Sequence, residues 1–337
     1  MTTLRHVVPR PIRLAASAFL ARRRSVSLQA DLDAMAARPA PIVAGPWLGE
    51  VGFELLYWVP FLRWCAECLN IDPHRFVVMS RGGTASWYQP FAARYMDVFD
   101  EVSAETFREQ HDARVRELGE QKQTRVTAFD RQLVEGATRR AHVADWSLLH
   151  PSRMYDVLNP YWWGHQSTAW VHAHTRYTRL PNPGPVDVPD LPPRYVAVKF
   201  YFNDCFPATM ANRSFVRDVL QTLARRHPVV VLSTALAIDD HHTIRIDEEG
   251  VRYLPEGIDP ARNLQVQSAI VARAEQFVGT YGGFSYLAPF YGVESHAYHS
   301  NVEGYSRSHL RLAYEAFERA GSRGRLHVHA TSESPHD

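Results

Sequence analysis

Cysteine, lysine and long apolar runs are all scarce in this chain. Three cysteines in 337 residues, Cys65, Cys68 and Cys205, cannot form a disulfide framework, so a small secreted scaffold is excluded and a reducing compartment is expected. No apolar run approaches the roughly 20 residues that a membrane-spanning helix needs. An excess of charge is missing too: 37 Lys and Arg against 36 Asp and Glu leave a net +1. Nothing global therefore draws the chain to nucleic acid, and any anion must be met by a local site. Neither G-x-G-x-x-G nor a Walker A sequence occurs, which disfavours a dehydrogenase or a P-loop enzyme. Lys122 and Lys199 are the only lysines among many arginines, so a lysine inside a strand pattern stands out.

What is present reads as globular. Hydrophobic residues make up 45% and charged residues 22%, and the length suggests two domains at roughly 150 residues each. Residues 1–40 form a basic N-terminal arm, with Arg5, Arg10, Arg13, Arg22, Arg23 and Arg24 around the apolar stretch Leu14 to Leu20. The triple arginine follows that stretch, which fits a signal peptide poorly. Residues 1–27 read as an amphipathic helix making peripheral contact with an anionic membrane, or as a helix packed on the body or a frayed tail.

Strand-like and helix-like segments then alternate. Pro41 to Gly45 is a short strand, followed by the glycine-rich turn Gly45-Pro-Trp-Leu-Gly-Glu-Val-Gly52. Phe53 to Leu69 has helical spacing, and Pro60 is expected to kink or split it. Phe76 to Met79 reads as a strand, Trp87 to Tyr95 as a helix and Val98 to Val102 as a third strand. Glu105 to Arg140 reads as one or two exposed helices. Six prolines between Leu180 and Pro193 mark a stiff linker over 181–194. Beyond it come a strand, Tyr195 to Phe202, and a helix, Phe215 to Arg226, for which Asn212-Arg-Ser214 offers a cap. Strands Pro228 to Ser233, Val251 to Leu254, Gln276 to Gly279 and Glu294 to His299 follow. Their helices are Pro260 to Ala274, one from Leu287, and Ser308 to Ala320, with 326–337 left as a tail. The pattern predicts an α/β protein of two doubly wound parallel-sheet domains, 41–180 and 195–325, facing across a cleft.

Open parallel sheets bind ligands beyond the carboxyl ends of their strands, so the loops after strands are the candidates. Gly279-Thr-Tyr-Gly-Gly-Phe-Ser-Tyr286 leaves a strand and enters a helix. Gly282 and Gly283 allow a close backbone approach, the helix start favours an anion, and Thr280, Tyr281, Ser285 and Tyr286 add polar groups. The alternative is a tight turn with Ser285 as an ordinary cap. Lys199, which interrupts the 195–202 strand, and Arg213, at the helix start beyond the following loop, are candidate phosphate ligands; the alternatives are a snorkelling lysine and an arginine over a helix end. In the first domain Gly45, Gly49 and Gly52 surround Glu50, with Glu54 one turn on. Either carboxylate is a candidate general base; helix capping is the competing role for Glu50.

These two glycine-rich turns resemble those of GT-B glycosyltransferases, which are built of two Rossmann-like domains. The resemblance runs over roughly residues 41 to 320 in architecture and rests on Gly279 to Pro289 and Gly45 to Gly52. It implies that the second domain holds a nucleoside diphosphate sugar as co-substrate, with no other cofactor and no metal. It also implies that the first domain receives a glycan or lipid-linked acceptor beside Gly49, Gly52, Trp162 and Trp163. Charge on the leaving group would be met by Gly282–Gly283, Lys199 and Arg213, while Glu50 or Glu54 deprotonates the acceptor hydroxyl in an inverting transfer. The implied enzyme is a hexosyl- or deoxyhexosyltransferase of polysaccharide or glycoconjugate synthesis in a bacterial cytoplasm, free or peripheral at the inner membrane face. The His-x-Arg core of many fucosyltransferases is absent, since the matching strand end reads Lys199-Phe-Tyr-Phe. A nucleotide-sugar epimerase and a non-catalytic sugar-binding module are the other readings of the same fold.

Other motifs read as structural. Cys65-x-x-Cys68 sits in an apolar helix without a second pair. Asp239-Asp-His-His242 reads as a solvated loop, and Asp31-Leu-Asp33 precedes the first strand. His296 and His299 read as packing residues, and Tyr161 as core.

Overall fold

The structure, a computed structural model, describes residues 10–119, 122–186, 188, 191–232, 249–255 and 257–331. The Asp239 to His242 motif lies outside them. The first sheet comprises β1 (Ile42–Ala44), β2 (Phe76–Ser80), β3 (Arg94–Asp97) and β4 (Ser147–Leu149), all parallel in the order β3-β2-β1-β4. The second comprises β5 (Val196–Lys199), β6 (Val229–Val231), β7 (Val251–Tyr253), β8 (Gln276–Thr280), β9 (Glu294–His299) and β10 (Leu326–Ala330). Its order is β10-β9-β8-β5-β6-β7, again wholly parallel. The chain thus forms the two doubly wound α/β halves expected. Each sheet reverses its winding at one point, between β1 and β4 in the first and between β5 and β8 in the second, where doubly wound sheets open a crevice.

Eleven helices are described: α1 (Arg10–Ala37), α2 (Val51–Phe53), α3 (Val59–Cys68), α4 (Ala104–Leu118), α5 (Ala128–Arg140), α6 (Pro151–Trp162), α7 (Thr168–Ala173), α8 (Met210–Ala224), α9 (Asn263–Val271), α10 (Gly283–Tyr291) and α11 (Arg307–Arg319). The expected helix over Phe53 to Leu69 is divided just before Pro60, which sits in the first turn of α3. A π-helical turn, Glu54–Trp58, joins α2 to α3. Pro60 has no N–H to offer the turn before it, and the Leu56 carbonyl accepts instead from the Tyr177 hydroxyl at 2.8 Å.

Several boundaries differ from the sequence expectation. Trp87 to Tyr95 is not a helix; a 3-10 turn, Thr84–Tyr88, ends before Pro90, and the third strand comes earlier, at Arg94–Asp97. The Asp97 carboxylate then caps a short turn by accepting from the Phe99 amide, which stops the strand before Val98. Strand β4 has three residues and carried no alternation to reveal it. Helix α8 starts at Met210 because Thr209, not Asn212, accepts from the helix start. Asn212 is buried and donates to the Pro207 carbonyl and Ser300. Residues 326–330, read as tail, form β10.

One apolar core runs through both halves, from Trp58 and Phe61 to Phe277 and Phe290. A smaller one, around Val43, Val77 and Leu133, fills the other face of the first sheet. Polar contacts tie the halves together as well. The Gln265 amide donates to the Gly82 carbonyl at 2.8 Å, and the Trp87 indole reaches both Ser268 and Tyr291.

Candidate functional site

The loop after β1 is held at several points. The Gly45 amide donates to Leu149 of β4, and the Trp47 amide to Met79 of β2. Buried Gln123 accepts from the Leu48 amide and donates to the Pro46 carbonyl, each at 2.8 Å. The Arg81 guanidinium donates to the Gly49 carbonyl at 2.8 Å. A loop so fixed presents its next residue, Glu50, at a defined place.

That place is a cavity of about 490 Å³ lined by Gly49, Glu50, Phe53, Lys122, Tyr155 and Asn159, with Gly119, Thr124 and Trp163 at its sides. It lies between the loop after β1 and the helix after β4, at the winding reversal of the first sheet. Glu50 is exposed at its edge and precedes α2 without capping it through its side chain. The Lys122 ammonium stands over the rings of Phe53 (5.1 Å) and Trp162 (5.0 Å). Burial, and then the nearby Glu50 charge, push the Tyr155 phenol well up, so it stays a neutral hydroxyl. Burial and the Lys122 charge drive His309, which packs on Phe53, down to about 4, so its ring is neutral. An acid, an ammonium, neutral hydroxyl and amide groups and the exposed Trp163 make a surface suited to a polyhydroxylated ligand.

The two glycine-rich turns meet. A Cβ at Gly283 would lie 2.6 Å from the Gly52 nitrogen, and one at Gly52 would lie 3.1 Å from the Gly283 Cα. A Cβ at Gly282, whose φ is +156°, would lie 2.0 Å from the Tyr201 hydroxyl. Gly283→Ala is therefore expected to force the two backbones apart and to lower stability by about 1–3 kcal/mol, as overpacking does. Denaturant unfolding checks this, and an unchanged midpoint would mean that the turns do not touch in solution.

The other expected donor groups are engaged internally. Thr280 Oγ1 accepts from the Tyr201 amide and donates to its carbonyl, which pins the loop after β5 to the end of β8. Tyr286 donates to Tyr281 at 2.6 Å. Ser285 is not the cap: Gly282 is, and Ser285 Oγ accepts from the Gly282 amide. Lys199 is half-buried, donates to Gln267 Oε1 at 2.6 Å and lies over Phe284. Arg213 is exposed on α8 over Phe202 of the loop after β5, whereas the partners of Lys199 lie on α9 and α10. Trp162 backs the cavity through Phe53, while Trp163 lines it.

Glu54 lies apart from the cavity and fully buried. Its Oε1 accepts from Ser80 and Tyr88, each at 2.5 Å, and its Oε2 has no partner. Burial raises its pKa to about 7. Both members of the Cys65/Cys68 pair are likewise pushed up by burial, so neither is a ready thiolate. Among the described residues no group of three or more His, Cys, Asp and Glu is placed to hold a metal ion. The sequence reading missed Phe53, Lys122, Thr124, Tyr155 and Asn159. Of these only Lys122 carried a signal, as one of two lysines.

No family model and no curated protein matches this chain. Solved structures do resemble it. One is the iron-containing dodecameric glycosyltransferase TibC from enterotoxigenic E. coli H10407, at 12% identity and a TM-score of 0.41, covering 77% of this chain and 58% of that one. Another is a glycosyl transferase of family 9 from Veillonella parvula DSM 2008, at 11% and 0.42, covering 88% of each. A third is the glycosyltransferase SnogD from Streptomyces nogalater, at 14% and 0.39, covering 87% and 86%. The chain thus spans little more than half of TibC. Likenesses this distant carry nothing about substrate or mechanism.

Proposed function

We propose that the protein is a glycosyltransferase that moves a hexosyl or deoxyhexosyl group from a nucleoside diphosphate sugar to an acceptor hydroxyl. The observation that carries this reading is the meeting of the two glycine-rich turns at Gly52 and Gly283, with Glu50 in a cavity two residues away. Such a junction brings an acceptor in one half and a donor on the other within reach of one carboxylate. In this reading the acceptor stacks on Trp163 and hydrogen-bonds Asn159 and Thr124. Glu50 Oε takes the acceptor proton as the oxygen attacks the anomeric carbon, and the bond to the leaving phosphate breaks with inversion. Lys199, Arg213 and the Gly282–Gly283 turn offset the charge on the departing diphosphate, without a metal; Lys199 would exchange Gln267 for a phosphate oxygen. A cytoplasmic setting follows from the donor class.

A melting screen with nucleoside mono- and diphosphates and nucleotide sugars tests the donor. At a hundredfold excess over Kd a true donor stabilises by about 2.7 kcal/mol. A shift confined to one nucleotide family supports the reading and identifies the base. No shift with any nucleotide overturns it.

A further inference from the structure

Helix α1 has two unlike ends. Towards its C-terminus it is fastened to the body: Leu28 and Leu32 are buried, the Arg24 guanidinium donates to the Asp156 carbonyl of α6, and Arg153 pairs with Asp31. The part before this anchor has a different character. Phe19 is 61% exposed, Leu20 50% and Val26 63%, although apolar side chains gain by leaving water. Phe19 and Val26 are seven residues apart, so they lie on one stripe of the helix, turned away from Leu28 and Leu32. Arg22 and Arg23, both exposed, lie three and four residues from each of them and flank that stripe on either side.

Charge is distributed in the same sense. Residues 1–30 hold six arginines and no lysine, aspartate or glutamate. The remaining residues hold 31 basic and 36 acidic side chains, a net −5. The near-neutral total therefore hides a strongly cationic end on an anionic body. No described helix is long and apolar enough to cross a membrane.

We infer that the outer face of α1 is a docking surface for an anionic lipid bilayer. Phe19, Leu20 and Val26 enter the interface between headgroups and acyl chains. Arg22 and Arg23 snorkel to the phosphates on either side, and the net −5 body stays clear of the surface. An apolar stripe bordered by cations fits this partner, because a bilayer supplies apolar depth and a dense plane of anions together. A nucleic acid would supply the anions without an apolar layer for Phe19 and Val26. The inference stands independently of the transferase reading. Where both hold, α6, which carries α1 and also lines the cavity with Tyr155 and Asn159, puts the acceptor site near the bilayer.

Sedimentation of the full chain with vesicles tests this, using phosphatidylcholine alone and phosphatidylcholine with phosphatidylglycerol. Binding is expected to the mixed vesicles, and to fall as salt rises because the Debye length shrinks from about 10 Å at 0.1 M to about 3 Å at 1 M. Arg22→Gln with Arg23→Gln should weaken it about 25-fold, at about fivefold per arginine. Phe19→Ser with Val26→Ser should weaken it at unchanged salt dependence. Both variants should melt like the parent, since the four side chains are exposed. Equal binding to neutral vesicles, no binding, or variants that bind like the parent overturns the inference. So does self-association that depends on Phe19 and Val26, or binding to a DNA duplex in preference to the mixed vesicles.

Discussion

Glu50→Gln is expected to keep donor binding unchanged and to lose transfer by about 10²- to 10⁴-fold, the range a positioned general base contributes. The amide is nearly isosteric and keeps an oxygen acceptor, but it takes no proton at neutral pH. Because Glu50 is exposed and caps α2 with its backbone alone, the substitution should leave the fold intact. The measurement is release of nucleoside diphosphate from the donor found by melting, over a panel of acceptors, with the melting shift of that donor recorded beside it. Retained shift with lost turnover assigns the base. Full turnover removes Glu50 from that role, and Glu54 does not inherit it easily, since its carboxyl is fully buried between Ser80 and Tyr88.

The two sheets were legible because parallel strands buried on both faces read as short apolar runs between amphipathic helices. Val196 to Val198 and Val229 to Val231 are such runs. Strand β3 was not, since Arg94-Tyr-Met-Asp97 has few aliphatic residues and follows a proline that hides the local period. The two glycine-rich turns were legible for a related reason: glycines cluster where backbones approach, and Gly52 and Gly283 do approach each other. What the glycines do there was not legible. The second turn lies against the first domain, with Gly283 beside Gly52, and no local pattern announced that contact. The cavity wall was hidden too. Lys122, Tyr155 and Asn159 reach Glu50 through the order of the first sheet, which places β4 beside β1 with Ile42 opposite Ser147, more than a hundred residues along the chain. No local pattern encodes a neighbour at that distance.

Glu54 should make this protein less stable as pH rises from about 4.5 to 7. Its carboxyl is buried, and the burial raises the folded pKa from 4.5 to about 7. Below pH 4.5 the group is protonated both folded and unfolded, so the folded state carries no buried charge. Between the two values the unfolded chain releases the proton and the folded chain keeps it, so folding binds a proton and stability falls. Above 7 both states are ionised and the loss is complete, at about 3 kcal/mol. Asp97, raised to about 6 chiefly by burial, adds in the same direction. Glu54→Gln removes the first contribution, since its oxygen still accepts from Ser80 and Tyr88 and its amide does not titrate. The stability of Glu54→Gln minus that of the parent should therefore rise by about 3 kcal/mol between pH 4 and pH 8, whatever its offset at either end. Denaturant midpoints at five or six pH values measure it. Parallel profiles would mean that Glu54 ionises normally, which requires water at the unpartnered Oε2 and an opening between the Ser80 strand end and the π-turn that the packed structure does not have.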